Sequence, residues 1–463
     1  MLRPLRAFTI ALLVALLVAL PVALPAAALA QTAVAPDADP RVQRLVAAVS
    51  EARLRTLATT LVGFGTRESL STTTSPTRGI GAARQWIFDE LARSSAKLQV
   101  SFDTHVIAPQ GRFPRQTELR NVMAVLPGRT ARRIYITGHY DSLNLGSGGQ
   151  QALNAAGGQN PQARANVDHD AEAPGANDDG SGTVLTMELA RVFAESGLQF
   201  DATLVFLCWA GEEQGLVGSA AHAQALAAAK VPVEANFNND IVGNIRGGND
   251  VIDAETVRVY SVGPEDSMSR SLARYVARVA ALYVPSHRIR LMAREDRFGR
   301  GSDHSSFTRQ GFPAVVFREA NENFAKQHTA ADTLEGVDFA YLAQNARVNA
   351  AGAAALALAP PAPKVTSDTG QNLLTRGPSG YDAQLRWHAV PGAVAYRISW
   401  RDTWTNDWQH RQTVGNVTEF VLPHVSIDDF VFGVAAVAAD GHESLTTAYV
   451  SPVRQSADVK VVK

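Results

Sequence analysis

Cysteine is nearly absent from this chain of 463 residues. The single thiol, Cys208, excludes an internal disulfide, so stability rests on the core or on bound metal. A charge excess is also missing, since 43 Lys and Arg stand against 44 Asp and Glu. No basic surplus argues for nucleic acid as a partner, and no acidic tail argues for disorder. Three signatures are lacking as well: a G-x-S-x-G elbow, an H-E-x-x-H helix and a phosphate-binding loop. Beyond the first thirty residues no stretch is apolar enough to span a membrane.

Those first thirty stand apart. Arg3 and Arg6 precede the apolar run "AFTIALLVALLVAL", Pro21 and Pro25 break it, and "ALA" (Ala28 to Ala30) precedes Gln31. That layout is a secretory signal peptide over 1–30. Its removal leaves no stable membrane insertion and places the protein in the periplasm or outside the cell.

The apolar fraction of 46% allows a large core. Apolar positions recur at helical spacing over 41–62, 82–95, 268–283 and 341–359, and in "GTVLTMELARVFAES" and "GSAAHAQALAAAK". Strand-like pieces alternate with them, among them "RRIYITGHYDS", "TLVFLCWAG", "VEANFNNDIVGN" and "GFPAVVFRE". This alternation predicts an α/β three-layer sandwich with a mostly parallel central sheet over 40–358. Asn144 to Ala173 reads as a long surface loop. "APPAPK" (359–364) reads as a stiff linker. Over 365–455 short alternating strands and turns recur, as in a small all-β sandwich. This tail resembles a fibronectin type III module: Trp387 falls at the core tryptophan, Tyr396 starts the next strand, and Phe430 stands where that family usually has tyrosine.

Five segments put acids and histidines where strands of the first domain should end. They are "TGHYDS" (His139, Asp141), "GANDDGSG" (Asp178, Asp179), "AGEEQG" (Glu212, Glu213), "NNDIVGN" (Asp240) and "KQHTAADT" (His328, Asp332). Ligands collect beyond the carboxyl ends of strands in such sheets. Two imidazoles with several carboxylates suit zinc, whereas carboxylates alone would suit magnesium or calcium. That donor count suggests two ions bridged by a carboxylate and a water. Asp141, two residues after His139, can accept from the second ring nitrogen and fix its tautomer.

The ordered series "GHYDS", "PGANDDGSGT", "WAGEEQGLVGS", "NNDIVGN", "GSDHSSF" and "HTAADT" resembles the co-catalytic zinc aminopeptidases over roughly residues 60 to 357. Bacterial leucyl aminopeptidase typifies that family; glutamate carboxypeptidase and glutaminyl cyclase are relatives. The resemblance implies a zinc exopeptidase fold and two Zn2+ ions. It implies that His139 and Asp240 bind one ion, Glu213 and His328 the other, and that Asp178 bridges them. Glu212 then serves as general base toward the water between the ions, and Asp141 supports His139 from behind. Gln327 stands where some relatives place an oxyanion-stabilising tyrosine. His304, a tyrosine from elsewhere, or the ions alone would fill that role.

Taken singly, each residue has an ordinary reading: His139 and His328 as core histidines, Asp178 as a helix cap, Asp240 as a turn residue. Their joint order is what favours a site. The remaining histidines, His105 and His222 among them, show no ligand spacing and are read as structural or surface. The implied reaction is removal of N-terminal residues from peptide substrates. Glutaminyl cyclase-like acyl transfer is the alternative, as is carboxypeptidase or dipeptidase action with Arg294, Arg297 and Arg300 as a basic pocket. Less favoured is a non-catalytic binding protein, with the C-terminal module contacting a surface or polymer.

Overall fold

A computed structural model of the chain describes residues 38–146, 149 and 167–450. The signal segment 1–30 and the middle of the Asn144–Ala173 loop lie outside the described residues, as do 451–455 of the tail.

Eight strands form the main sheet: β1 (Gln99–Ile107), β2 (Thr117–Leu126), β3 (Arg133–His139), β4 (Thr203–Trp209), β5 (Val233–Asn239), β6 (Thr256–Ser261), β7 (Arg288–Met292) and β8 (Ala314–Glu319). Their spatial order is β1-β2-β4-β3-β5-β8-β6-β7. The centre, β4-β3-β5-β8, is parallel throughout. β2 and β6 run antiparallel to their inner neighbours, and β1 and β7 form the two edges. The predicted α/β sandwich with its parallel centre is therefore the observed architecture.

Alternation along the strands divides the core. Ile134 and Ile136 of β3, with Leu204, Phe206 and Cys208 of β4, face the larger apolar cluster. Tyr135, Val205, Leu207 and Trp209 face a smaller one on the other side. Helices α1 (Pro40–Ala47), α2 (Glu51–Val62), α3 (Gly79–Ser94), α4 (Gly180–Glu195), α6 (Met268–Tyr283) and α8 (Phe339–Leu358) contribute to the larger cluster. The smaller face is covered by α5 (Val217–Ala228) and the short α7 (His304–Thr308). Each fully buried Leu, Ile, Val or Phe contributes about 1.5–3 kcal/mol. The helix expected over 41–62 is two helices. Ser50 interrupts it by capping α2 at Arg53 N (3.2 Å), while its own N–H donates to Glu188 Oε1 (2.9 Å).

The C-terminal strands are β9 (Leu374–Arg376), β10 (Asp382–Arg386), β11 (Ala395–Asp402), β12 (His410–Val414), β13 (Glu419–Ser426), β14 (Phe430–Val437) and β15 (Thr447–Ala448). They form antiparallel sheets in the orders β13-β10-β9 and β12-β11-β14-β15. Trp387, Tyr396, Ile398, Phe432 and Val434 share one buried core between them. The preceding linker is packed rather than free: Ala359 is buried, and its carbonyl accepts from Arg132 Nη2 (2.7 Å). The seam continues through α6. Ser271 Oγ donates to Thr446 O (2.6 Å), and Arg274 Nε donates to Asn406 O (2.5 Å).

Candidate metal centre

The strand ends converge as the sequence pattern anticipates. His139 closes β3, Asp240 follows β5, Glu212 and Glu213 follow β4, and Asp178 lies in the turn before α4. His328 lies in the loop after β8, with a left-handed φ of 57°. Leu145 N donates to its carbonyl (2.9 Å). Five of these six side chains form two groups with one shared member. His139, Asp178 and Asp240 make one trio able to hold an ion; Asp178, Glu213 and His328 make the other.

Asp178 faces both ways. Its Oδ1 is 3.3 Å from His139 Nε2, and its Oδ2 is 3.0 Å from His328 Nε2. Asp240 Oδ1 is 3.8 Å from His139 Nε2, and Glu213 Oε1 is 3.0 Å from His328 Nε2. Glu212 Oε2 stands 4.0 Å from His139 Nε2 and joins neither trio. The five trio side chains are 1–6% exposed, whereas Glu212 keeps 12%. Glu212 is thus the acid at the solvent boundary, where a water or substrate would arrive.

The scaffold explains how the turn is held. Asp179 caps α4 by accepting from Gly182 N (2.9 Å), and also accepts from His139 N (2.9 Å) and Ile241 N (3.1 Å). One carboxylate therefore ties two strand ends to the start of a helix. Gly182 must be glycine here, because a Cβ would lie 2.3 Å from Asn239 O and 2.5 Å from Asp179 Oδ2. Asp332 holds the other side by accepting from Asp178 N (2.9 Å) and Asn177 N (3.1 Å). Asp141 also has a task beyond facing the His139 ring. Its carboxylate accepts from Glu213 N (3.1 Å), Ser69 Oγ (3.1 Å) and Glu212 N (3.3 Å). The nearest contact of His139 Nδ1 is the backbone carbonyl of Asp141, at 3.1 Å. The carboxylate is 3.5 Å away.

Electrostatics follow from five carboxylates, Asp141, Asp178, Glu212, Glu213 and Asp240, around two imidazoles. Burial opposes charge on His139, but Glu212, Asp141, Asp178 and Asp240 together hold its proton well above the ordinary range. Burial likewise pushes the Glu212 carboxyl well up, Glu213 and Asp240 add to the push, and His139 opposes it. At Asp240 burial is overcome chiefly by Arg318, which holds the carboxyl well below its usual value. Arg318 Nη1 lies 2.8 Å from Asp240 Oδ1, and Ser302 Oγ donates to Asp240 Oδ2 (2.5 Å).

Some expected residues are elsewhere. His304 is fully buried, with Nε2 2.9 Å from Glu295 O, and makes no described contact with the cluster. The amide of Gln327 is engaged by Glu322 and Arg300. Arg297 is paired with Glu322 (2.5 Å), and Arg294 lies over the Phe298 ring. Sequence reasoning missed Arg318 and the threefold role of Asp179. The available signal for Arg318 was a charged pair, Arg318–Glu319, inside an otherwise apolar strand.

The sequence profile of peptidase family M28 matches residues 121–353. A probable zinc metalloprotease of Pyricularia oryzae is 38% identical, with 89% of this chain and 84% of that protein covered. The chain belongs to peptidase family M28. Another probable zinc metalloprotease, from Pyrenophora teres, is 36% identical over 88% of this M28 chain and 86% of its own length. Among solved structures, the LapA aminopeptidase of Legionella pneumophila superposes with a TM-score of 0.51 at 21% identity, covering 69% of this chain and 75% of that one. Glutaminyl cyclase of Porphyromonas gingivalis gives 0.51 at 18% identity, covering 66% and 98%. At such identities these structures share the fold.

Family membership makes this M28 chain a zinc metalloprotease, and its residues fit the metal. Buried imidazoles and carboxylates alternate at ligand spacing, and Glu213 Oε1 is buried without a hydrogen-bond donor of its own.

Proposed function

We propose that this M28 peptidase is an exported di-zinc aminopeptidase that removes N-terminal residues from peptides. The observation that carries the reading is Asp178, whose two oxygens each serve a separate trio of potential ligands. His139 and Asp240 would hold one zinc, Glu213 and His328 the second, with Asp178 common to both. Bound zinc supplies Lewis-acid polarisation of the scissile carbonyl and eases deprotonation of water.

The chain does the rest. Glu212, lifted by burial and placed beside His139 at the open edge, accepts a proton from the attacking water. It then delivers that proton to the leaving amine nitrogen. Asp141 fixes the Glu212–Glu213 backbone, so the base and the ligand keep separate positions. The anionic surround suits a free α-ammonium group, which favours exopeptidase action.

The test is Glu212→Gln assayed on aminoacyl chromogenic substrates with parallel zinc analysis. Zinc content should stay unchanged while kcat falls about 10²–10⁴-fold. Near-normal turnover would remove Glu212 from the mechanism. A substrate with N-terminal glutamine in the same panel separates hydrolysis from cyclisation.

Two further parts belong to this reading. Residues 1–30 are an export signal, checked by N-terminal sequencing of the exported protein. The C-terminal sandwich is a fibronectin type III-like module that contacts a surface or polymer. Its seven strands in two sheets and the Trp387–Tyr396 pair, with ring centroids 5.2 Å apart, support the module's fold.

A further inference from the structure

We propose that Asp103, His105 and His222 form another metal site, outside the catalytic cluster, for a divalent ion of the zinc class. Asp103 and His105 alternate on edge strand β1, so both side chains leave the same face. His222 reaches them from α5. Asp103 Oδ2 is 2.9 Å from His105 Nε2 and 2.9 Å from His222 Nδ1. The three ligand atoms lie within 4.8 Å of one another, as they do in each catalytic trio. That compactness matches the 3.0 Å separations around His328.

The surroundings are those of a metal ligand set. The other nitrogen of His222 is 3.3 Å from the Tyr135 hydroxyl, and the ring stands edge-on to Trp209 and Tyr135. Its tautomer and orientation are thereby constrained. Asn121 Nδ2 donates to Asp103 (2.8 Å). Side-chain exposures of 20% for Asp103 and 19% for His105 let an ion enter, while His222 at 7% anchors the site. Two imidazoles and one carboxylate leave a fourth position to solvent, the pattern of an open zinc site.

A rival cluster lacks this character. Asp39, Asp440 and His442 are equally close, but Arg41 lies 2.6 Å from both acids and fills the cation's place. Among the described residues no arginine or lysine ion-pairs with Asp103.

The site is wired to the catalytic loop through one side chain. Asn121 Oδ1 accepts from Ala210 N (3.0 Å), and its Nδ2 also approaches Gly218 O (3.3 Å). Ala210 and Gly218 bracket the segment that carries Glu212 and Glu213. An ion on Asp103 therefore steadies the loop that presents the base.

The test is metal uptake by the full chain, stripped with chelator and titrated with Co2+ alone, followed by visible absorption and thermal shift. Wild type should take up one equivalent more than His105→Gln, and a Glu213→Gln/His328→Gln variant should keep that extra equivalent. This second arm separates the site from the catalytic reading. Equal uptake by wild type and His105→Gln overturns the proposal, leaving a hydrogen-bonded His–Asp–His cluster. Because His105 is partly exposed, its variant folds where His222→Gln would disturb the core.

Discussion

Glu322 and Glu443 invite comparison, because each is a buried carboxylate met by three arginines. Glu322 faces Arg258 (2.7 Å), Arg297 (2.5 Å) and Arg300 (3.5 Å). Glu443 faces Arg278 (3.2 Å), Arg397 (3.0 Å) and Arg411 (2.5 Å). The surroundings differ. Around Glu322 the arginines are 9–19% exposed; around Glu443 they are 12–37% exposed. Glu322 also accepts from Gln327 Nε2 (3.1 Å), the residue before His328, so it shapes the catalytic loop. Glu443 instead joins Arg278 of α6 to β11 and β12, so it clamps the sandwich onto the peptidase. One arrangement thus serves placement of the candidate ligand His328 in one region and attachment of the sandwich in the other. The drier setting makes the first far more sensitive to change.

The largest expected effect is therefore Glu322→Ala. It strands buried guanidinium groups and should cost about 3–5 kcal/mol in denaturant unfolding. His328 would lose its support, so zinc affinity should fall about 10–100-fold, read by metal competition. Unchanged zinc affinity would reduce Glu322 to a purely structural role.

Acid should reveal the same carboxylate. Burial works against its ionisation, but Arg297, Arg318, Arg300 and Arg258 hold the Glu322 carboxyl down to about 2, against an ordinary 4.5. A depressed carboxylate contributes stability that is present above 4.5 and lost as pH falls through 2. About 3 kcal/mol should disappear across that window in wild type, and Glu322→Gln should flatten this limb in pH-dependent unfolding. Glu443 is lowered by Arg278, Arg411 and Arg397 against the same opposition of burial, so its contribution has the same sign.

Glu443→Ala should cost less, about 1–3 kcal/mol, because solvent reaches its arginines. Unfolding should change, and hydrolysis of aminoacyl substrates should stay within about twofold of wild type, since the seam carries no reacting group. A large loss of kcat would show that the seam communicates with the metal centre.

The sequence made the peptidase region legible to an unequal degree. Apolar strands ending in acids or histidines placed His139, Glu212, Glu213 and Asp240 at one edge of the sheet, because strand ends are local features. Asp178 was readable through the Gly-rich turn before a helix. What was not readable depends on partners far along the chain. Asp179 ties His139, Gly182 and Ile241 by hydrogen bonds that no spacing encodes. Arg318 meets Asp240 only because β5 and β8 are neighbours. The three arginines of Glu443 come from α6, β11 and β12, and the break at Ser50 hides inside good helical periodicity. His105 and His222 are 117 positions apart, so their meeting over Asp103 left no motif.

The smallest effect should come from the exposed end of the same seam. Arg41 bridges Asp39 (2.6 Å) and Asp440 (2.6 Å), with Arg41 35% and Asp440 40% exposed. In high dielectric such a pair contributes about 0.2–1 kcal/mol, and salt screens it within about 10 Å at 0.1 M. Arg41→Gln should therefore lower stability by less than 1 kcal/mol, in low salt only. A double-mutant cycle with Asp440→Asn, run at low and high salt, isolates the coupling. If the cycle returned a salt-independent coupling as large as that of Glu443, solvent exposure would no longer explain why the two three-arginine clusters differ. Burial of the guanidinium groups predicts the opposite: a coupling that fades with salt at Arg41 and persists at Glu322.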